Sequence, residues 1–436
     1  MSEFKKGKKI RVDSGGELEI LEKLGEGGQG IVYKVRYKND VLALKWYFKN
    51  KLGNKDKFYK NIRKNIDKGA PAENFLWPLE ITEMEDESFG YVMKLRPPEY
   101  EDFSKFMLAK VKFKNIAAVI NAALQITTAF RALHSRGFSY QDLNDGNFFV
   151  NPKTGDVLIC DNDNVAPYGE NLGIAGKCRY MAPEVVIGKK VPDVHTDRFS
   201  LAVVLYLLLF LNHPLEGART TSCPCLTEKY EKKYFGSEPI FVYDKEKDKN
   251  RPVRGVHSNE IRLWPVYPAF VKEAFTQAFS QESMIGADQE NRLMEKDWQL
   301  IFTKLRDILI TCPHCHGETF YDPDKNSSKC LNCGNEISSL PVMNVKKKYK
   351  IVLAANKQIF ACHTVYDSDD YKEITGSVIP SKSNPDILGL KNRTSHDWDA
   401  INPSNGDRKA IESGKAFKIR KGLKIDFGHD NIGEIL

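Results

Sequence analysis

From residue 17 to about 45 the chain alternates apolar and polar positions around a Gly-rich turn, as in ELEILEKLGEGGQGIVYKVRYKNDVLALK, which predicts three strands. The basic, polar stretch Asp56 to Lys68 closes at Gly69-Ala70-Pro71 and predicts a helix, and strand-like pieces follow through GYVMKL. Apolar residues then recur at helical spacing from Ile116 to His134, and a helix-rich region continues to about Ile310. Two stretches interrupt it. One is a loop containing SYQDLNDGNFFV, residues 139–150; the other, about 220–261, is rich in Lys, Glu, Asp and Pro and is expected to be a surface insertion. Cysteines and turn residues dominate 311–340. Beyond them, 342–436 has short apolar runs broken by Gly, Asn, Asp and Ser, which predicts an all-β module. The apolar run LAVVLYLLLFL, 201–211, is far shorter than the ~20 residues a bilayer requires, so it is expected to be a buried helix.

At 436 residues the chain exceeds one ordinary core, and two to four domains are expected. A composition of 41% hydrophobic and 28% charged residues excludes a disordered or fibrous class. The formal charge of +7 is a weak excess over a mixed-sign surface, without the concentrated basic face that nucleic acid would need. No apolar segment follows MSEFKKGKKIRV, so a secretory signal is not expected and a cytoplasmic setting is. There, nine cysteines are expected to be free or metal-bound.

The candidate chemistry begins at Gly25, Gly27 and Gly30, a GxGxxG between two strands. That placement disfavours a dinucleotide fold, while glycines in such a hairpin let backbone amides approach a phosphate. The next strand, VLALK, places Lys45 where an ammonium could meet those phosphates. Asp142 and Asn147 stand in DxxxxN spacing, and Asp161 follows the apolar strand VLIC. Phosphoryl transfer needs a carboxylate to orient the attacking hydroxyl and oxygen ligands to hold magnesium, and these residues supply both. RYMAPEVV then gives Ala182-Pro183-Glu184, and Asp197 stands just before the apolar run.

With these pieces in order, residues 15–310 resemble a eukaryotic-type protein kinase domain. The resemblance implies a multidomain α+β chain whose bilobal kinase-like part has a small lobe over about 15–95 and a large lobe over about 96–310. It implies that ATP lies between the lobes beside Val32, Ala43 and Met93, positioned by Lys45 and the Gly25, Gly27 and Gly30 loop. Asp142 would orient a Ser/Thr hydroxyl, Asn147 and Asp161 would hold Mg²⁺ or Mn²⁺, and Arg292 would pair with Glu184. The tracts AFTQAF and NRLMEKDWQLIFTKLRDIL, with the cysteine segment after them, resemble more narrowly bacterial kinases encoded near tellurium-resistance and phosphatase genes. That implies protein substrates, with a cognate phosphatase and neighbouring-gene products as partners.

The site departs from the family in four places. The His-Arg before the catalytic aspartate is Tyr140-Gln141, DFG is Asp161-Asn162-Asp163, the loop lysine is Asn144, and the helix after Lys45 offers only Asp56 and Asp67 as carboxylates. Gln141 replaces the arginine that normally receives an activation-segment phosphate, and no Ser or Thr lies between Asp161 and Glu184. The two absences agree in implying a segment that needs no such phosphate. Lys177, at the family's GT threonine, is a candidate catalytic residue that could supply the charge lost at Asn144, and is readable equally as a solvated activation-segment lysine. Asp163 is readable as a second metal ligand or as an ordinary turn residue. The absent threonine leaves a Tyr acceptor open, and the departures leave open a pseudokinase scaffold that binds nucleotide and partners without transfer.

Cys312, Cys315, Cys330 and Cys333 form two CxxC pairs, which suit a closed tetrahedral Zn²⁺ site in a zinc ribbon over 311–340. The tracts ILGLKNRTSHDW and AIESGKAFKIRKGLKIDFG resemble the end of a forkhead-associated-like β-sandwich, placed at 342–436 and expected to recruit partners.

Overall fold

Six antiparallel strands open the chain: β1 Lys9–Arg11, β2 Glu17–Glu26, β3 Gly30–Tyr37, β4 Asp40–Tyr47, β5 Glu80–Ile81 and β6 Gly90–Lys94, ordered β1-β2-β3-β4-β6-β5. They come from a computed structural model that describes residues 3–173, 176–429 and 431–436. Alternation puts Leu18, Ile20, Tyr33, Val35, Leu44 and Trp46 on one face, where they are buried together. The other face, with Ala43, Tyr47, Tyr91 and Met93, packs with Phe58 and Ile62 of helix α1, Lys55–Lys68. Asn54 caps α1 by accepting from Lys57 N–H, and Gly69 ends it at φ +71°. The sheet and α1 therefore share one core.

Gly30 is demanded by this sheet itself. A Cβ there would lie 2.1 Å from the Trp46 carbonyl oxygen, so β3 and β4 approach as closely as they do only because the residue is glycine. Gly25 and Gly27 face open space instead.

The helical region follows. Helix Ile116–Ser135 is long and apolar enough to cross a membrane by those measures, yet Leu124, Ile126, Ala129, Phe130 and Leu133 are buried within the protein. Helix Val194–Phe210 carries the apolar run and is buried along nearly all of its length. Segment 220–261 departs from the expected surface insertion. Phe235, Phe241 and Val242 are essentially fully buried, and the Phe241 and Tyr206 rings meet at 5.7 Å. The apolar run IFV is hidden in the sequence by its charged flanks, and burying it anchors the stretch to the helical core.

The chain forms two compact units. The first holds the sheet, α1 and the helical region up to Gln299, apart from 115–120 and 266–271; the second holds those two pieces and Leu300–Leu436. In the second unit Cys312, Cys315, Cys330 and Cys333 sit on two short hairpins, Leu309–Thr311 with Glu318–Phe320 and Ser327–Lys329 with Glu336–Ser338. The C-terminal region is a pair of antiparallel sheets of six and four strands, with one helical turn at Ala361–Thr364. Its core is Met343, Ile351, Val378, Leu390, Trp398, Ile425 and neighbours. Lys357 donates to the carbonyls of Arg306 and Leu309, tying this region to the last turn of helix Glu295–Ile308.

Candidate active site

Three stretches far apart in sequence meet below the sheet. β4 ends on Lys45 and Tyr47, β6 supplies Tyr91, and the turn after strand Val157–Ile159 supplies Asp161 and Asp163. Lys45 Nζ donates to Asp161 Oδ1 at 2.8 Å and to Asp163 at 2.9 and 3.2 Å, with Gln29 Oε1 at 3.4 Å. Burial alone would favour the neutral amine; Asp163 and Asp161 outweigh it and hold the Lys45 pKa well above its usual range. Asp161 adopts the left-handed conformation, φ +53°, which turns its carboxylate toward solvent. Ala43 and Met93 share a buried cluster with Cys160, and Val32, Leu95 and Phe149 pack against it.

The loop 139–150 is held from beneath by Asp197, which accepts from the backbone N–H of Tyr140 at 2.6 Å and of Gln141 at 3.1 Å. His134 bridges Asp197, at 3.2 Å, and Glu295, at 2.8 Å. Burial would keep this imidazole neutral, but the two carboxylates raise its pKa to about 9. Asn144 and Asn147 close a tight turn: Asn144 N–H donates to Asn147 Oδ1 at 2.7 Å, and Gly146 N–H donates to Asn144 Oδ1 at 3.0 Å. Asn147 Oδ1 is thus already engaged within the loop.

Lys177 reaches this loop from the activation segment. Its Nζ donates to Asn144 Oδ1 at 2.7 Å and lies 3.6 Å from Asp145. Asn144 in turn donates to Asp142 Oδ1 at 3.3 Å. Burial pushes the Asp142 carboxyl up to about 6, against the lowering pull of Lys177 and of the Asn144 amide. Gln141 braces the same segment without charge: its amide donates to the Glu170 carbonyl at 2.6 Å, and its oxygen accepts from Leu172 N–H at 3.3 Å. Glu184 and Arg292, both buried, form a two-pronged pair at 2.8 and 2.9 Å, as the resemblance implied.

A buried lysine facing aspartates under a glycine hairpin, with a half-buried carboxylate on a braced loop, is the arrangement that the resemblance implied. The protein kinase domain family matches residues 18–254, more than half of the chain. The chain belongs to the protein kinase family. It is similar to serine/threonine-protein kinase 36 of Mus musculus, 30% identical over 44% of this chain and 14% of that protein. It is also similar to a serine/threonine-protein kinase of Arabidopsis thaliana, 27% identical over 47% of this chain and 43% of that one. A probable serine/threonine-protein kinase of Clostridium perfringens is 24% identical over 47% of this chain and 30% of its own length. In each case the match spans less than half of the relative.

The kinase fold draws Lys45, Asp161 and the cluster with Val32, Ala43 and Met93 to one side, and Asp142, Asn147 and Lys177 to the loop side. Gly25 and Gly27 lie at the hairpin beyond Gln29, with nothing within 4 Å of a Cβ built on either. Asp163 is no metal ligand here: it is fully buried, and both its oxygens are engaged by Lys45, Tyr91 and Tyr47. Tyr47, Tyr91, Leu95 and Phe149 join the site without a motif of their own. Strand alternation is the local signal for three of them: Tyr47 lies two positions past Lys45, Tyr91 two before Met93, and Phe149 two past Asn147.

The four cysteines converge as well. All their sulfurs lie within 4.8 Å of one another, with Cys312 and Cys333 at 3.8 Å and Cys315 and Cys330 at 3.6 Å. A tetrahedral ion with Zn–S bonds of ~2.3 Å sets sulfurs about 3.8 Å apart, so the set fits zinc. The N–H groups of His314 and Asn332 point at Cys312 and Cys330 sulfur, both at 3.4 Å, in matching turns.

Proposed function

We propose that this chain is an ATP- and Mg²⁺-dependent protein kinase that phosphorylates Ser or Thr hydroxyls in protein substrates. The observation that carries the reading is the positive charge standing beside the base: Lys177, 2.7 Å from Asn144, occupies the neighbourhood that the missing loop lysine would serve. Asp142 accepts the hydroxyl proton as the new oxygen–phosphorus bond forms and the bond to the ADP oxygen breaks. Its pKa of about 6 leaves it ionised at neutral pH yet basic enough to take the proton. Lys45 and the Gly25–Gly30 hairpin orient the nucleotide, and Lys177 balances charge near the transferred group. Asp161, turned to solvent, would hold Mg²⁺ or Mn²⁺, with Asn147 joining it by sharing the oxygen that now accepts from Asn144; the bound ion would neutralise phosphate charge.

The cysteine set would hold Zn²⁺ as a structural ion, which accords with a cytoplasmic setting where thiols stay reduced. The two antiparallel sheets support a forkhead-associated-like sandwich that recruits protein partners. The resemblance to kinases of tellurium-resistance gene clusters makes a cognate phosphatase and neighbouring-gene products the first substrates to try.

The test is incubation of the purified chain with Mg²⁺ and labelled ATP, beside Asp142→Asn, with any phosphate mapped by mass spectrometry. Transfer to Ser or Thr that is lost in the variant supports the kinase. Binding of ATP without transfer to any of these proteins replaces this reading by a scaffold, and phosphate on Tyr would correct the acceptor.

A further inference from the structure

In this family's arrangement the strand lysine needs a fixed anion to stand against, and α1 does not supply one. Its two aspartates, Asp56 and Asp67, are both exposed. The buried side of α1 presents Phe58, whose ring meets that of Tyr47 at 5.7 Å, together with Asn61 and Asn65. Both amides donate to one backbone oxygen, Val165 O, at 2.8 and 2.9 Å. The carboxylates that reach Lys45 come from the turn 161–163, and they are not equivalent. Asp161 is 41% exposed, whereas Asp163 is 0% exposed. Asp163 Oδ1 takes Lys45 and the Tyr91 hydroxyl, and Oδ2 takes Lys45 and the Tyr47 hydroxyl.

We infer that Asp163 is the positioning residue of the nucleotide site, the buried counter-ion that fixes Lys45 in place of a helix carboxylate and so leaves Asp161 free to serve the metal. This rests on the kinase reading above for its consequence, though not for its geometry. A buried ammonium held by one exposed carboxylate would swing with it. With Asp163 clamped by two phenols from β4 and β6, Lys45 keeps its place when Asp161 turns away. The two roles that other members divide between α1 and the DFG aspartate are here carried by one turn. Rotation of α1 therefore reaches Lys45 indirectly, through Val165 and through the Phe58–Tyr47 ring contact beside Asp163.

The experiment compares full-length wild type with Asp163→Asn, Asp56→Asn and Asp67→Asn. Mg-ATP affinity is measured by calorimetry, and the KM values for ATP and for the protein substrate by kinetics. Asp163→Asn is expected to weaken Mg-ATP at least tenfold while the protein-substrate KM stays within twofold; a merely loosened fold would move both. The two helix variants are expected to stay within twofold of wild type throughout. Mg-ATP affinity unchanged in Asp163→Asn, or a tenfold loss in either helix variant, overturns the inference. If Asp163→Asn does not fold, Tyr91→Phe takes its place: it removes one hydroxyl from Asp163, a three- to fivefold weakening is expected, and unchanged affinity overturns the inference. A wild type that binds Mg-ATP but transfers nothing sinks the kinase reading and leaves this comparison intact. A wild type that binds no nucleotide is decided by the nitrogen-edited NMR signal of the Lys45 ammonium. That signal is expected to be protected in wild type and Asp56→Asn and lost in Asp163→Asn; its survival in Asp163→Asn overturns the inference.

Discussion

Replacing Lys177 by Met keeps the aliphatic stem and removes the charge from the loop. In the structure this charge stands 2.7 Å from Asn144, whose amide reaches Asp142, and 58% of the Lys177 side chain is exposed. A unit charge about 4 Å from a developing charge is worth roughly 4 kcal/mol at a surface-like dielectric and about 1 kcal/mol in bulk water. Half-exposed Lys177 falls between, at about 1.5 to 2 kcal/mol, which converts to a loss of about ten- to thirtyfold in kcat. The KM for ATP is expected to stay within about twofold, because Lys177 contacts the loop and not Lys45. A second signature follows from Asp142. Burial raises its pKa to about 6 while Lys177 pulls it down, so removing Lys177 lets it rise further. Asp142 has to be ionised to accept a proton, so the acid limb of kcat/KM, near pH 6 in wild type, moves to higher pH in Lys177→Met. Steady-state kinetics across the acid and neutral range measure both. An unchanged kcat, or an acid limb of kcat/KM that does not move, refutes the reasoning.

Three further outcomes are expected. Gln141→Leu removes the bonds to Glu170 and Leu172, costs about 1 to 3 kcal/mol and speeds proteolysis within 161–184, whereas phosphatase treatment of wild type leaves activity unchanged. His134 has its pKa raised from 6.5 to about 9, so its ion pairs stabilise fully below pH 6.5 and are lost as pH rises through 9; thermal melts of wild type should fall by up to about 3 kcal/mol across that window, and those of His134→Gln should not. A strong chelator should release one zinc per chain and expose the cysteine segment to alkylation, and Cys330→Ser should abolish the zinc; a chain that emerges without bound metal but with a protected segment would refute the site.

The sequence determined whatever depends on spacing along one element or one loop. Strand alternation fixed β2 to β4 and their glycine hairpin, the DxxxxN interval placed Asp142 and Asn147 on one turn, and two CxxC pairs announced four converging thiols. It also announced the missing groups, since Gln141, Asn144 and a helix without glutamate are visible as letters. What replaced those groups was decided by tertiary structure. Asp163 reads from sequence only as a metal ligand or a turn residue because its partners Lys45, Tyr47 and Tyr91 belong to strands 72 to 118 residues away, and only the closed core turns a loop aspartate into a counter-ion. The stretch 220–261 hid its apolar run among charges, because burial is a property of the packed lobe and not of local composition. Gly30, expected from its motif to face a phosphate, is in addition required by a carbonyl on the neighbouring strand. Local pattern carries the elements and the reacting groups, and the energy of bringing distant side chains out of water decides which of them hold the others still.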